Sequence, residues 1–237
     1  FYVGAGTSGR LGVLDLAECK PTFGVGSDKV CAIIAGGPAA ITEAVEEAED
    51  DFELGSSELV QRSISERDAV LGITASGRTP FVLGALSTAR EAGALTVGLS
   101  CNRSSKIREY VDIAIEVVTG PEVLTGSARM KAGTAQKLVL NMISTATMIK
   151  LGKVYENLMV DMLATNSKLR IRAQEIVRAA TSVPGDEAEA LLKLADYNLK
   201  TAIVMGKLDV DRCTAEKLLA EAHGFVRKAI ETGLDNR

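Results

Sequence analysis

Of the 237 residues, 27 are Lys or Arg and 31 are Asp or Glu, a formal charge of −4, with 46% hydrophobic and 24% charged residues. A chain of this size can bury a real core; lacking a basic block it offers no nucleic-acid surface, and no apolar stretch reaches membrane-spanning length. Cys19, Cys31, Cys101 and Cys213 are scattered, with neither metal-ligand spacing nor a disulfide framework, so a reduced, cytoplasmic protein is expected.

Phe1 already lies inside an expected strand, so further residues are expected upstream, and a targeting segment among them stays open. Apolar runs recur at 1–4, 29–34, 69–74, 95–100 and 113–118, separated by stretches with helical periodicity at 8–19, 38–51, 56–65 and 80–92. The runs are continuous rather than alternating, as strands covered on both faces should be. Alternating units of this kind imply an α/β fold, a doubly wound parallel sheet of five strands in the order 2-1-3-4-5. From 120 onward the pattern is helical: a loop at 120–127 leads into a long helix over about 128–151, with Leu138, Met142, Thr145 and Ile149 as its expected apolar stripe. Pro184-Gly185 and the 206–211 stretch divide the remainder into shorter helices. We therefore expect a ligand-binding domain over 1–171 and an all-helical subdomain over 172–237.

Two loops stand out. Gly4-Ala5-Gly6-Thr7-Ser8-Gly9-Arg10 follows the first strand and Thr74-Ala75-Ser76-Gly77-Arg78-Thr79-Pro80 follows the third. Glycine lets backbone approach a ligand, and N–H groups at a helix start, with the helix dipole, favour an anion. In a 2-1-3-4-5 sheet the first and third strands flank the crevice where the winding reverses, so both loops meet at the expected ligand site. A phosphorylated small molecule is the implied ligand. Gly4, Gly6 and Gly9 also match the dinucleotide fingerprint, but the second strand ends in Ile33-Ile34-Ala35-Gly36-Gly37, without the ribose-binding carboxylate. No Gly-Lys-Ser/Thr follows, so a P-loop is excluded.

His223 is the only histidine, and it falls among the C-terminal helices, so acid–base chemistry falls to carboxylates, lysine or tyrosine. Glu18 lies on the Leu11–Leu14–Glu18 face of the first helix. Because Pro21 follows closely, Glu18 is expected near the helix C-terminus, where burial and the dipole would raise its pKa; the bland alternative is a glutamate reaching solvent. Glu49 sits among Glu43, Glu46, Glu47 and Asp50, a run that reads as a solvated face, and composition does not single it out. Thr125–Thr134 is a third glycine-hydroxyl stretch. It either closes over an anion or uses Ser127 as a plain helix cap, with Arg129 and Lys131 in solvent.

The segments GAGTSGRLGVLDLAEC, IAGGPAAITEAVEEAEDD, GITASGRTPFV and TGSARMKAGTAQKLVLNMISTATMIKLGKVYENLMVDM resemble the N-acetylmuramic acid 6-phosphate etherases, from Phe1 to about Leu169 and less distinctly beyond. The resemblance implies a sugar-isomerase (SIS) fold and catalytic roles for Glu18 and Glu49. It implies that Ser8, Ser76, Gly77 and Thr79 hold the phosphate, with Gly6, Thr7, Ser127 and Lys131 completing the substrate site. Lys20 stands where a proline is common, and beside Glu18 it would lower the pKa expected to rise. His223-Gly224 replaces a frequent Gly-Gly. The implied reaction is cleavage of the D-lactyl ether at C3 by elimination and water addition, without metal or redox cofactor, in a cytoplasmic homodimer serving cell-wall recycling. The glucokinase regulatory protein is similar in the same loops, so a non-catalytic sugar-phosphate sensor is one rival reading. An aldose–ketose isomerase on the same fold is another.

Overall fold

The computed structural model describes residues 1–235. Five strands, β1 (Tyr2–Gly4), β2 (Ala32–Ile34), β3 (Ala69–Ile73), β4 (Leu95–Ser100) and β5 (Ile113–Glu116), form one sheet. All its pairings are parallel, in the order β2-β1-β3-β4-β5 that the sequence implies, with Tyr2 opposite Ala32 on one side and Leu71 on the other. Its helices are α1 (Gly6–Phe23), α2 (Phe52–Val60), α3 (Pro80–Glu91) and α4 (Lys131–Lys150). Successive strand residues face opposite ways. Val70 therefore joins one core with Phe81, Val82 and Leu86, and Leu71 another with Leu99, Val139 and Leu140. Burial on both faces explains why the strands read as unbroken apolar runs.

The chain packs as two compact units, Phe1–Ala17 with Ser27–Ile143, and Glu18–Gly26 with the residues from Ser144 onward. The division falls earlier than residue 171 because Val160 and Met162 are already buried in the helical core. That unit holds a small hairpin, β6 (Val154–Tyr155) and β7 (Leu158–Met159), then α5 (Ser167–Thr181), α6 (Gly185–Leu194), α7 (Leu199–Leu208), α8 (Arg212–Glu221) and α9 (Val226–Asp235). Asn166, Asn198 and Asp211 cap α5, α7 and α8, each accepting an N–H three residues on. Leu192, Leu199 and Ile203 fill the centre. His223 has φ +51°, a left-handed conformation that a glycine there would hold with less strain.

Three sequence expectations need correction. The helix expected over 38–51 is instead two short 3-10 turns, Gly37–Ile41 and Glu47–Glu49. The Arg10 guanidinium takes the carbonyls of Ala40, Ile41 and Glu43, the acceptors an α-helix needs for its own ladder. The first helix does not stop before Pro21; it runs through that residue to Phe23, and Glu18 is exposed more than a turn before its end. The burial expected of it is therefore missing. On α4 the expected stripe faces outward, with Leu138, Met142 and Ile149 53%, 61% and 50% exposed and Thr145 also exposed. The inward face is Ala132, Gln136, Val139 and Leu140; α4 is apolar enough all round to offer two stripes, and packing on the sheet selected the other.

Candidate functional site

The carboxyl ends of β1 and β2 open onto a cavity of about 350 Å³. Gly6 and Thr7 from the start of α1 line it, together with Arg10, the 44–49 segment and Ser127-Ala128-Arg129. The approach of α1 is set by two glycines. A Cβ on Gly4 would lie 2.7 Å from the Gly9 nitrogen, and one on Gly9 would lie 2.8 Å from the Gly4 oxygen. Any side chain at either position would push the helix off the strand. This close seating is a dinucleotide-like device used without the dinucleotide acid.

Arg10 organises the opposite wall. Its Nε lies 2.9 and 3.1 Å from the Ala40 and Ile41 oxygens, and Nη2 donates to the Glu43 oxygen at 2.6 Å. Downstream, Ala48 and Phe52 pack on the sheet core, and Asp51 caps α2 by accepting the Leu54 N–H at 2.8 Å. The acidic run is thus fixed at both ends. Within it Glu43, Glu46, Glu47 and Asp50 are exposed and Glu49 alone is half-buried. Glu49 and Glu46 line the cavity with Arg10 and Arg129, so two carboxylates and two guanidiniums share its walls.

The loop after β3 is a network of hydroxyls. Thr79 Oγ1 donates to Glu49 Oε1 at 3.0 Å and lies 2.9 Å from Thr74 Oγ1, which is 3.3 Å from Ser76 Oγ. Gly77 N–H donates to Thr74 Oγ1 and Arg78 N–H to Ser76 Oγ, both at 3.2 Å. Gly77 has φ +70°, and a Cβ there would sit 2.3 Å from Ser105 Cβ, so only glycine fits the turn. Ser105 is held in turn by Glu116, whose Oε1 accepts its N–H at 3.1 Å. That N–H, with the Ser104 N–H and the Arg108 charge, keeps the Glu116 carboxyl below its usual range.

A smaller cavity of about 190 Å³ opens beside this loop, among Ser76, Cys101, Asn102, Thr119 and Glu122. Burial, then the nearby Glu122 charge, pushes the Cys101 thiol up to about 11, so it stays protonated at neutral pH. Glu122 caps α4 by accepting the Ala132 and Lys131 N–H groups at 2.9 and 3.0 Å. Those bonds hold its carboxyl below the usual range. Gly126 and Ala128 line both cavities, so the loop carrying Glu122 forms a wall of each.

Gly6, Thr7, Ser127 and Glu49 thus come together at the larger cavity, and Ser76 lines the smaller one. Ser8 is buried, and its hydroxyl donates to Gln136 Oε1 at 3.0 Å. Gly77 is buried within its turn, the Thr79 hydroxyl is turned toward Glu49, and Lys131 is exposed with its backbone N–H on Glu122. Glu18 lies in the other compact unit, exposed on α1. Arg10 and Glu46 were not foreseen as site residues, while Arg129 belongs to the stretch read as either closing over an anion or leaving its cations in solvent. The signal for Arg10 was a cation at the end of a glycine loop, ahead of a sequence that would otherwise propagate a helix. Among the described residues, no group of three or more metal-ligating side chains is present and no helix is long and apolar enough to cross a membrane.

Residues 1–90 match the glucokinase regulatory protein N-terminal SIS domain. Over 230 residues, 97% of this chain, the sequence is 56% identical to an N-acetylmuramic acid 6-phosphate etherase of Caldanaerobacter subterraneus subsp. tengcongensis, covering 75% of that protein. It is 55% identical over the same length to the enzyme of that name from Salmonella typhimurium, covering 77% of it. Among solved structures, the E. coli CFT073 protein c3406 in complex with A5P is similar at 15% identity. The match has a TM-score of 0.44 and covers 66% of this chain and 72% of that one.

Proposed function

The chain belongs to the N-acetylmuramic acid 6-phosphate etherase family, and from that membership we propose how its residues divide the reaction. The enzyme cleaves the D-lactyl ether of N-acetylmuramic acid 6-phosphate, giving N-acetylglucosamine 6-phosphate and D-lactate. In the open-chain sugar the C1 aldehyde acidifies the proton on C2. Glu49 takes that proton, the C3–O bond breaks, and the lactyl oxygen leaves with a proton from Glu18. Water then adds to the unsaturated aldehyde: Glu18 takes its proton, the hydroxyl bonds to C3, and Glu49 returns a proton to C2. Thr7, Ser76 and the backbone around Gly6 and Ser127 supply donors for the phosphate, whose distant anchoring orients the reacting carbons.

The observation carrying the Glu49 assignment is its placement: it is the one half-buried member of an acidic run, on the wall of the cavity at the carboxyl ends of β1 and β2. Support for Glu18 comes from the resemblance of its sequence segment. The discriminating measurement is D-lactate release beside exchange of the C2 proton in D2O. Glu49→Gln should lower both by about 10²- to 10⁴-fold. Glu18→Gln should lose lactate release by a similar factor and keep C2 exchange. Near-parental turnover in either variant removes that residue from the mechanism.

A cytoplasmic homodimer is part of the same proposal. The scattered spacing of the four cysteines and the outward apolar side chains Leu138 and Met142 are its support.

A further inference from the structure

We propose that Arg129 determines specificity for the D-lactyl group, its guanidinium pairing with the lactyl carboxylate of the substrate in the larger cavity. This deepens the reading of that cavity as the place of ether cleavage, and rests on it. N-acetylmuramic acid 6-phosphate differs from N-acetylglucosamine 6-phosphate by a group whose carboxylate is separated from the ether oxygen by a single carbon. That charge must lie wherever the C3–O bond breaks, and there the walls already hold Glu46 and Glu49. A further negative charge beside two carboxylates is unfavourable unless a cation accompanies it.

The cations on these walls are Arg10 and Arg129. Arg10 is committed to the protein: its Nε and Nη2 are bonded to the Ala40, Ile41 and Glu43 oxygens. Arg129 is exposed and, among the described residues, makes no ion pair and no side-chain hydrogen bond. Its backbone is nevertheless fixed. Ala128 and Met130, on either side, accept the Gly133 and Thr134 N–H groups at the start of α4, both at 2.9 Å. A guanidinium with its whole fork free, on a fixed backbone at the cavity wall, suits a planar carboxylate, which it takes through two parallel bonds. Lys131, the next cation along, serves the other side. Its Nζ lies 3.9 Å from where a Cβ on Gly120 would be, and Gly120 lines the smaller cavity together with Ser76, a phosphate donor of the proposed site. The loop between the cavities thus offers one cation to each, as the substrate offers two anionic groups.

The test is a cycle of enzyme and substrate changes. Arg129→Gln and the parent are compared on N-acetylmuramic acid 6-phosphate and on its lactyl amide, which keeps the shape and removes the carboxylate charge. N-acetylglucosamine 6-phosphate, with the phosphate and no lactyl group, serves as competitive inhibitor. On the acid, Arg129→Gln should lower kcat/KM for ether cleavage by about 10- to 100-fold, the size of a charge-assisted hydrogen bond. On the amide the same variant should stay within about threefold of the parent, and its inhibition by N-acetylglucosamine 6-phosphate should be equally unchanged. Arg129→Lys, which keeps the charge without the fork, should recover part of the loss on the acid. The proposal is overturned if the loss on the amide equals that on the acid, or if inhibition by N-acetylglucosamine 6-phosphate weakens as much as turnover, either of which would make Arg129 a phosphate ligand. Parental kcat/KM of Arg129→Gln on the acid also overturns it, leaving the side chain to solvent. If Glu49→Gln keeps parental turnover, the larger cavity is not the place of ether cleavage and the underlying reading fails. A slow Glu49→Gln beside a parental Arg129→Gln removes this proposal alone.

Discussion

The loops after β1 and β3 are written in nearly the same residues, Thr7-Ser8-Gly9-Arg10 in one and Ala75-Ser76-Gly77-Arg78 in the other. In the first, the serine turns inward to a neutral partner, Gln136, and the arginine reaches across to three carbonyls that shape the opposite wall. In the second, the serine stays at a cavity edge, the arginine is exposed, and the turn rests on Ser105, which an ionised glutamate holds in place. One loop is a structural clamp with its threonine in the site. The other is a hydroxyl network with its serine at a cavity. A shared motif fixes the turn, while the neighbours decide which atoms remain for the ligand.

The largest expected contrast is between the two arginines. Arg10→Ala removes three charge-assisted bonds and frees the segment that carries Glu49. It should cost about 2–4 kcal/mol in urea unfolding and lower kcat about tenfold. Arg78→Ala should stay within about 0.5 kcal/mol of the parent. Equal losses at both positions would erase the distinction between the loops.

A smaller effect separates the serines. Ser8→Ala leaves the buried Gln136 side chain without a partner for its oxygen, beside an Nε2 that already lacks one. It should cost about 1–2 kcal/mol with KM unchanged. A KM raised several-fold with stability intact would return Ser8 to the phosphate site.

The smallest effect is in acid. Glu116 has a lowered carboxyl pKa, first through the Ser105 N–H, so the stability it adds is present above its unfolded pKa. That stability is lost as the pH falls through the lowered folded value. The Gln136 support of the first loop does not titrate. Below about pH 4.5 the amides of Gly77 and Ser105 should therefore lose hydrogen-exchange protection before that of Gly9, and Glu116→Gln should remove the difference. Simultaneous loss in all three would show that the support is shared.

Much of this was legible in the chain, because strands covered on both faces must be apolar throughout and a turn as close to its neighbours as that at Gly77 admits only glycine. The five runs, the sheet order and the two loops follow from such local demands. The 38–51 segment was misread because its helix ladder is broken by a side chain 30 residues upstream. The α4 stripe was misread because two faces of that helix are apolar, and only contact with Leu71 and Leu99 selects one.

The sequence alone determined the architecture and the chemistry available, since backbone geometry and apolar periodicity are properties of neighbouring residues. Which carboxylate of five is half-buried at the cavity, and which hydroxyl faces it, was decided only in the folded chain. Burial and hydrogen-bond partnership depend on atoms brought together from distant positions, as Thr79 is brought to Glu49.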